Sequence, residues 1–228
     1  MKAPRSKERV LFSWSGGKDS AMALHEVRSR GEVEVAALVT TVTEGFDRVS
    51  MHGVRRELLA RQAQALGVPL EEVVIPRGAT NEQYESRLEA ALLRYREQGV
   101  SRVAYGDLFL EDIRAYREAH LARIGMRGLF PIWKRDTTEM ARSFVALGFR
   151  ALVVCLDPRA LHDSFAGRWI DADFFASLPE GVDPCGENGE FHSFVVDGPG
   201  FREPVRVRAG EVVRRDAFVF CDLLPEEP

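Results

Sequence analysis

The chain has 228 residues, 45% of them hydrophobic, with 31 basic and 35 acidic side chains and a formal net charge of −4. That content can bury one large domain or two unequal ones and excludes a disordered chain. The acidic balance argues against bulk electrostatic gripping of nucleic acid, and Val10 to Phe12 is too short an apolar run for a signal peptide or membrane span, so a cytoplasmic protein is expected.

Val10-Leu11-Phe12 predicts a buried strand that ends at Gly16-Gly17. A helix from Ser20 to Arg30 follows, with Gly31 placed for a left-handed C-cap. Val33 to Val39 is the next apolar run. A helix over about Val54 to Leu66 carries Leu59, Ala63 and Leu66 at i, i+4 and i+7, and Glu72 to Ile75 makes a third strand. Tyr84, Leu88, Ala91, Leu92 and Tyr95 form one face of a third helix that stops at Gly99. Arg102 to Tyr105 is strand four, closed by Gly106-Asp107. This alternation predicts an α/β fold: a parallel five-stranded sheet with helices on both faces and ligands at the carboxyl ends of its strands. Past about Gly125 the rhythm changes. A helix through Met140, Phe144 and Leu147 leads to a strand at Ala151 to Cys155, then a short helix near Asp171 to Leu178. The tail is β-rich: Phe191 to Val196, Val205 to Val207, and Val212 to Phe220. A division into residues 1–125, binding nucleotide, and 126–228, a smaller α+β substrate region, is expected.

Ser13-Trp14-Ser15-Gly16-Gly17-Lys18-Asp19-Ser20 joins the first strand to the first helix. In that setting glycines let backbone N–H groups approach phosphate oxygens, and the helix N-terminus adds partial positive charge. Ser15 and Ser20 supply hydroxyls, Lys18 a compact cation, and Asp19 a carboxylate suited to Mg²⁺. The loop is not a Walker A motif, because Phe12 stands where the first glycine is needed and Asp19 where Ser or Thr belongs. The bland alternative is an ordinary strand–turn–helix corner. Scarcity of lysine weighs against it: beyond Lys2 and Lys7, only Lys18 and Lys134 occur in an arginine-rich chain.

Ser-Gly-Gly-Lys-Asp-Ser after the first strand resembles the pyrophosphate loop of the N-type ATP pyrophosphatases, whose fold is adenine nucleotide alpha-hydrolase-like. The resemblance implies an enzyme that adenylates a substrate and releases pyrophosphate. It implies that Ser13 and Ser15 to Ser20 hold ATP, that adenine rests near the end of strand two at Val39 and Thr40, and that Gly106-Asp107 meets the nucleotide or the acceptor.

Asp183-Pro184-Cys185-Gly186-Glu187-Asn188-Gly189-Glu190-Phe191-His192 gathers carboxylates, an amide and an imidazole around two glycines. Such residues can orient a polar acceptor, hold ammonium or move a proton. They also make a plain turn into a strand, and residue types alone leave both readings open. Gly-Glu-Asn-Gly-Glu-Phe-His, followed by Val195-Val196-Asp197-Gly198-Pro199, resembles the C-terminal motif of the diphthine–ammonia ligase family. The match runs through both motifs and nearly the whole chain. It implies adenylation of a carboxylate acceptor followed by attack of ammonia, with Lys18, Asp19, Glu187, Asn188, Glu190 and His192 in the chemistry. ATP with Mg²⁺, ammonium and an acceptor that the sequence does not identify are the implied partners, and homo-oligomerisation is left open. Gly106-Asp107-Leu108-Phe109-Leu110-Glu111-Asp112-Ile113-Arg114 departs from the Ser, Tyr and Gln pattern of archaeal and eukaryotic members. It resembles the bacterial branch, so reaction type is implied without the acceptor.

Two rivals remain at this level: a tRNA-thiolating relative, which needs a working cysteine pair, and a module that binds ATP or AMP without turnover. Cys155, Cys185 and Cys221 are odd in number and widely spaced, which suits reduced, packed thiols better than a metal site or a disulfide framework. His52 is open between substrate contact and a neighbour of a helix N-cap, His25 is expected to be a partly exposed or satisfied helix residue, and the sequence names no partner for His120 or His162.

Overall fold

The computed structural model describes residues 7–45, 48 and 53–227. His52 therefore lies outside the described residues. The first half follows the predicted alternation. Strand β1 (Glu8–Ser13), helix α1 (Lys18–Arg30), β2 (Val33–Thr43), α2 (Arg56–Leu66), β3 (Leu70–Ile75), α3 (Asn81–Glu97), β4 (Arg102–Ala104), α4 (Glu111–Arg123) and β5 (Arg127–Leu129) succeed one another. The five strands form one parallel sheet in the order β3-β2-β1-β4-β5.

Neighbouring strand residues enter opposite cores, as a pleated strand requires. Phe12, Leu38 and Ala104 pack with Met22, Leu24 and Val27 of α1 and Leu58 and Leu59 of α2. Leu11, Ala37, Val39 and Val103 pack with Ala91 and Leu92 of α3 and Leu121 of α4. Both faces are covered, which explains near-continuous apolar strands. No helix among the described residues is long and apolar enough to cross a membrane.

Behind this sheet come α5 (Thr137–Ala146), β6 (Arg150–Leu156), a single 3₁₀ turn at Asp163–Phe165, α6 (Ala172–Ala176), β7 (Phe191–Asp197), β8 (Val207–Arg215) and β9 (Phe218–Pro225). The last four strands make an antiparallel sheet in the order β7-β6-β9-β8. Several details differ from the expectation. The apolar run Val212 to Phe220 is not one strand: Asp216 turns with a φ of 53° and splits it into the β8–β9 hairpin. Strand β2 runs to Thr43, because Thr and Val are β-branched and continue the pairing with β3 past Val39. The fifth strand is the three-residue β5, just past Gly125 and too short to show a pattern. Helix α4 was hidden because Ile113 and Tyr116, which would mark an apolar face, point to solvent.

The two sheets are tied together by Gln62, fully buried on α2. Its side-chain carbonyl accepts from the Trp14 indole at 2.9 Å, and its amide donates to the carbonyls of Gly16, at 3.0 Å, and Val195. One side chain thus joins the residue just after β1, the Gly-rich loop and β7. Gln62→Ala should destabilise the fold by about 3 kcal/mol, because the buried Trp14 indole loses its acceptor and the Gly16 and Val195 carbonyls each lose a donor. Urea unfolding checks it, and a loss within experimental error would remove Gln62 from this role.

Candidate active site

The Gly-rich loop leaves β1 at the sheet's carboxyl edge and enters α1 through Gly17. Gly16 takes a positive φ of 78°, and a Cβ there would lie 2.8 Å from the Gln62 carbonyl oxygen. A side chain is therefore excluded at this turn by both strain and space. Ser15 and Ser20 hydroxyls lie 2.8 Å apart, and the Gly17 N–H donates to Ser15 Oγ at 3.2 Å. Strand β4 ends against the same turn. A Cβ on Gly106 would come within 2.9 Å of the Asp19 and Ser20 backbone, so glycine is what lets the second loop close on the first turn of α1.

Strand β7 seals the other side of the loop. Val195 N–H donates to Gly16 O at 2.9 Å, and Lys18 N–H donates to Ser193 Oγ at 3.1 Å. The Lys18 ammonium is 3% exposed. It donates to both Asp19 carboxylate oxygens, at 2.8 and 2.9 Å, and to the Cys185 carbonyl, and it lies 5.5 Å from the centre of the Phe191 ring. Burial works against its charge, yet Asp19 and its neighbours more than offset this and raise its pKa. The lysine of the first motif thus touches the backbone of the second directly.

Between them lies a cavity of about 490 Å³. Ser13, Ser15, Gly17, Lys18, Asp19 and Ser20 line one wall, Gly106 and Asp107 another, and Glu187, Asn188 and His192 a third. Four expected site residues fall elsewhere. Val39 and Thr40 are buried in the body of β2, whose end is Thr43. Gly16 is covered by Gln62 and Phe194. Glu190 is a correction in kind. Its buried carboxylate accepts from the N–H groups of Asp183 and Asn188 and from the Asn188 amide, each at 2.9 Å. Those bonds hold its pKa below the usual range despite burial, and its carboxylate braces the loop from within.

Electrostatics divides the remaining acids and bases. Burial, then Asp19, pushes Glu187 up to about 7. Burial also raises Asp107, against the pull of Arg117. His192 is lowered by burial and then by Lys18, which keeps its ring neutral near pH 7. The Cys185 and Cys155 thiols are each pushed up to about 12, by burial first, and belong to the packing. Among the described residues no cluster of three or more His, Cys, Asp or Glu forms a metal cage. If a cation binds at the loop, the carboxylate that would hold it is Asp19, whose two oxygens here accept from Lys18 Nζ.

Sequence reasoning missed Gln62, Arg117, Ser193 and Tyr105. Ser193 stands one residue past the second motif and could have been included with it. Arg117 carried no motif; it reaches Asp107 from α4, which packs against β5. Lys134 pairs with Glu111 on the surface at 3.1 Å, and His162 caps the 3₁₀ turn through Nδ1.

Comparison with known proteins follows the same two halves. Residues 8–128 match the diphthamide synthase N-terminal domain and residues 136–223 the diphthamide synthase C-terminal domain. The chain is 25% identical to a diphthine–ammonia ligase of Danio rerio over 92% of its own length and 91% of the relative's. It is 24% identical to that of Homo sapiens, covering 93% and 88%. With the one from Schizosaccharomyces pombe it shares 24% over 94% of this chain and 38% of the longer relative.

The raised Glu187 carboxyl has a consequence for stability. The folded state holds its proton up to about pH 7, whereas the unfolded chain releases it near 4.5. This group's contribution is therefore fully present below pH 4.5 and is lost as pH rises through 7. Glu187→Gln should raise the Tm at pH 8 relative to the unmodified chain, and the difference should vanish near pH 4. Equal Tm differences at both pH values would show that Glu187 is not perturbed.

Proposed function

The chain belongs to the diphthamide synthase family, and from that premise we propose that it is an ATP-dependent ligase that adenylates a carboxylate and transfers ammonia to it. The observation that carries this reading is the convergence of Ser15 to Ser20 and Cys185 to Ser193 on one cleft, with Lys18 bridging them. A donor-rich loop at a helix N-terminus suits phosphate, and the opposite wall, rich in acceptors, suits ammonium.

In this mechanism Ser15, Gly17 and Ser20 position the β and γ phosphates. Asp19 would hold Mg²⁺, which supplies charge neutralisation on those phosphates. An acceptor carboxylate oxygen attacks the α phosphorus while the α–β bridge breaks, and Lys18 stabilises charge on the departing pyrophosphate. Ammonia then attacks the acyl carbon; the C–N bond forms, the C–O bond to AMP breaks, and the amide is left. Glu187, poised near neutrality, takes a proton from ammonium before attack, with Asn188 orienting the ion and His192 as a neutral neighbour. Gly106 and Asp107 bound the acceptor end. The two jobs divide near Gly125, although β5 of the first sheet lies just beyond. A cytoplasmic location, where ATP is abundant, accords with this reading.

With an acceptor and ammonium present, turnover should yield AMP and pyrophosphate, and ADP with phosphate as the only products would overturn the assignment. Lys18→Ala should lower turnover by on the order of a hundredfold or more. Product chromatography measures both, and near-normal turnover in the variant would take Lys18 out of the reaction.

A further inference from the structure

We infer that Arg117 recognises the carboxylate of the acceptor and so determines which substrates enter the cleft; this rests on the ligase reading above. Arg117 projects from α4 into the cavity. Its Nη2 donates to Asp107 Oδ1 at 3.1 Å, and its Nε lies 2.9 Å from Oδ2. The guanidinium centre sits 4.2 Å from the centre of the Tyr105 ring. Tyr105 stacks in turn on Phe130, with ring centres 5.6 Å apart and planes 20° from parallel. The Arg114 guanidinium lies 4.5 Å from the centre of that Phe130 ring. A guanidinium fork held over an aromatic ring and paired to a carboxylate is pre-organised for a planar anion.

Charge in the cavity makes this assignment specific. The carboxylates of Asp19, Asp107 and Glu187 line it and repel an incoming carboxylate. Among the described lining residues only Lys18 and Arg117 are permanent cations. Lys18 is 3% exposed and committed to Asp19 and the Cys185 carbonyl on the phosphate side. Arg117 keeps 30% of its side chain exposed. Asp107 takes one hydrogen bond from the fork, at Nη2, while Nε lies against it without a hydrogen-bond partner and Nη1 stays outside the pair, so an incoming carboxylate has donors left to take. An arriving acceptor either adds at the open edge or replaces Asp107. Replacement is eased because burial already disfavours the Asp107 charge.

The test uses the full chain, with carboxyl-labelled propionate as a minimal acceptor mimic and propionamide as its neutral counterpart. Both are titrated by carbon NMR in the presence of an ATP analogue whose α and β phosphates are bridged by methylene. The unmodified protein is expected to bind propionate and not propionamide. Arg117→Met should weaken propionate by about tenfold or more, and Arg117→Lys should recover part of that loss. Asp107→Asn removes the internal competitor and should tighten propionate, a change of sign that a merely structural ion pair does not produce. Analogue affinity should be the same in both Arg117 variants. Undiminished propionate binding in Arg117→Met, weakening in both Arg117→Met and Asp107→Asn, or no propionate binding by the unmodified protein overturns the inference. So does a loss of analogue affinity in Arg117→Met, which would assign Arg117 to the nucleotide. Failure of the unmodified protein to bind the analogue at all would instead bring down the ligase reading, and the inference with it.

Discussion

The constraint on which the rest depends is the main-chain splice between β7 and the Gly-rich loop. Residues 16 and 195 share a backbone hydrogen bond, and residues 18 and 193 share another from backbone to hydroxyl. Gln62 closes the joint from behind, where water cannot compete. Because buried polar groups must be paired, this joint admits few alternatives. The loop cannot shift without breaking the second sheet's edge, and the second motif cannot leave without stranding Lys18 N–H. The two motifs are thus one structural object. Their chemistry differs, but their positions do not vary independently.

That joint also sets the electrostatics. Enclosing Lys18, Asp19, Glu187 and His192 in one cleft removes solvent from groups of both signs. Desolvation works against charge on Lys18, Glu187 and His192, so the carboxyl of Glu187 moves up and the imidazole of His192 moves down. Lys18 escapes because Asp19 lies within hydrogen-bond reach. The outcome is a permanent cation beside proton acceptors that are close to neutral, which suits ammonia chemistry at ordinary pH. Glu190 shows the opposite treatment. Three N–H donors favour its charged form inside the loop.

Much of this was legible in the residues themselves. Parallel strands buried on both faces write long apolar runs, and Gly-rich turns punctuate them, so the first four strands and three helices could be placed closely. The last strands were harder. An apolar run through Val212 and Phe220 conceals a hairpin because Asp216 turns without the glycine that normally marks such a corner. Helix α4 escaped periodicity because part of its apolar surface faces solvent. For the same reason Arg117 was invisible: a lone arginine on an unrecognised helix carries no local signal.

By itself the sequence determined the chemistry on offer: a phosphate-type loop after a strand, a second cluster of acids and an amide, and a glycine at each close approach. These are local properties, set by residue type and spacing. Only the tertiary structure decided which of those groups face one another. It turned Glu190 into the loop and Glu187 toward the cleft, buried Val39 and Thr40 within a longer strand, delivered Ser193 and Arg117 to the cleft, and set Gln62 behind it. The physical reason is that pairing of buried polar groups and the balance of desolvation against charge depend on neighbours far apart in the chain.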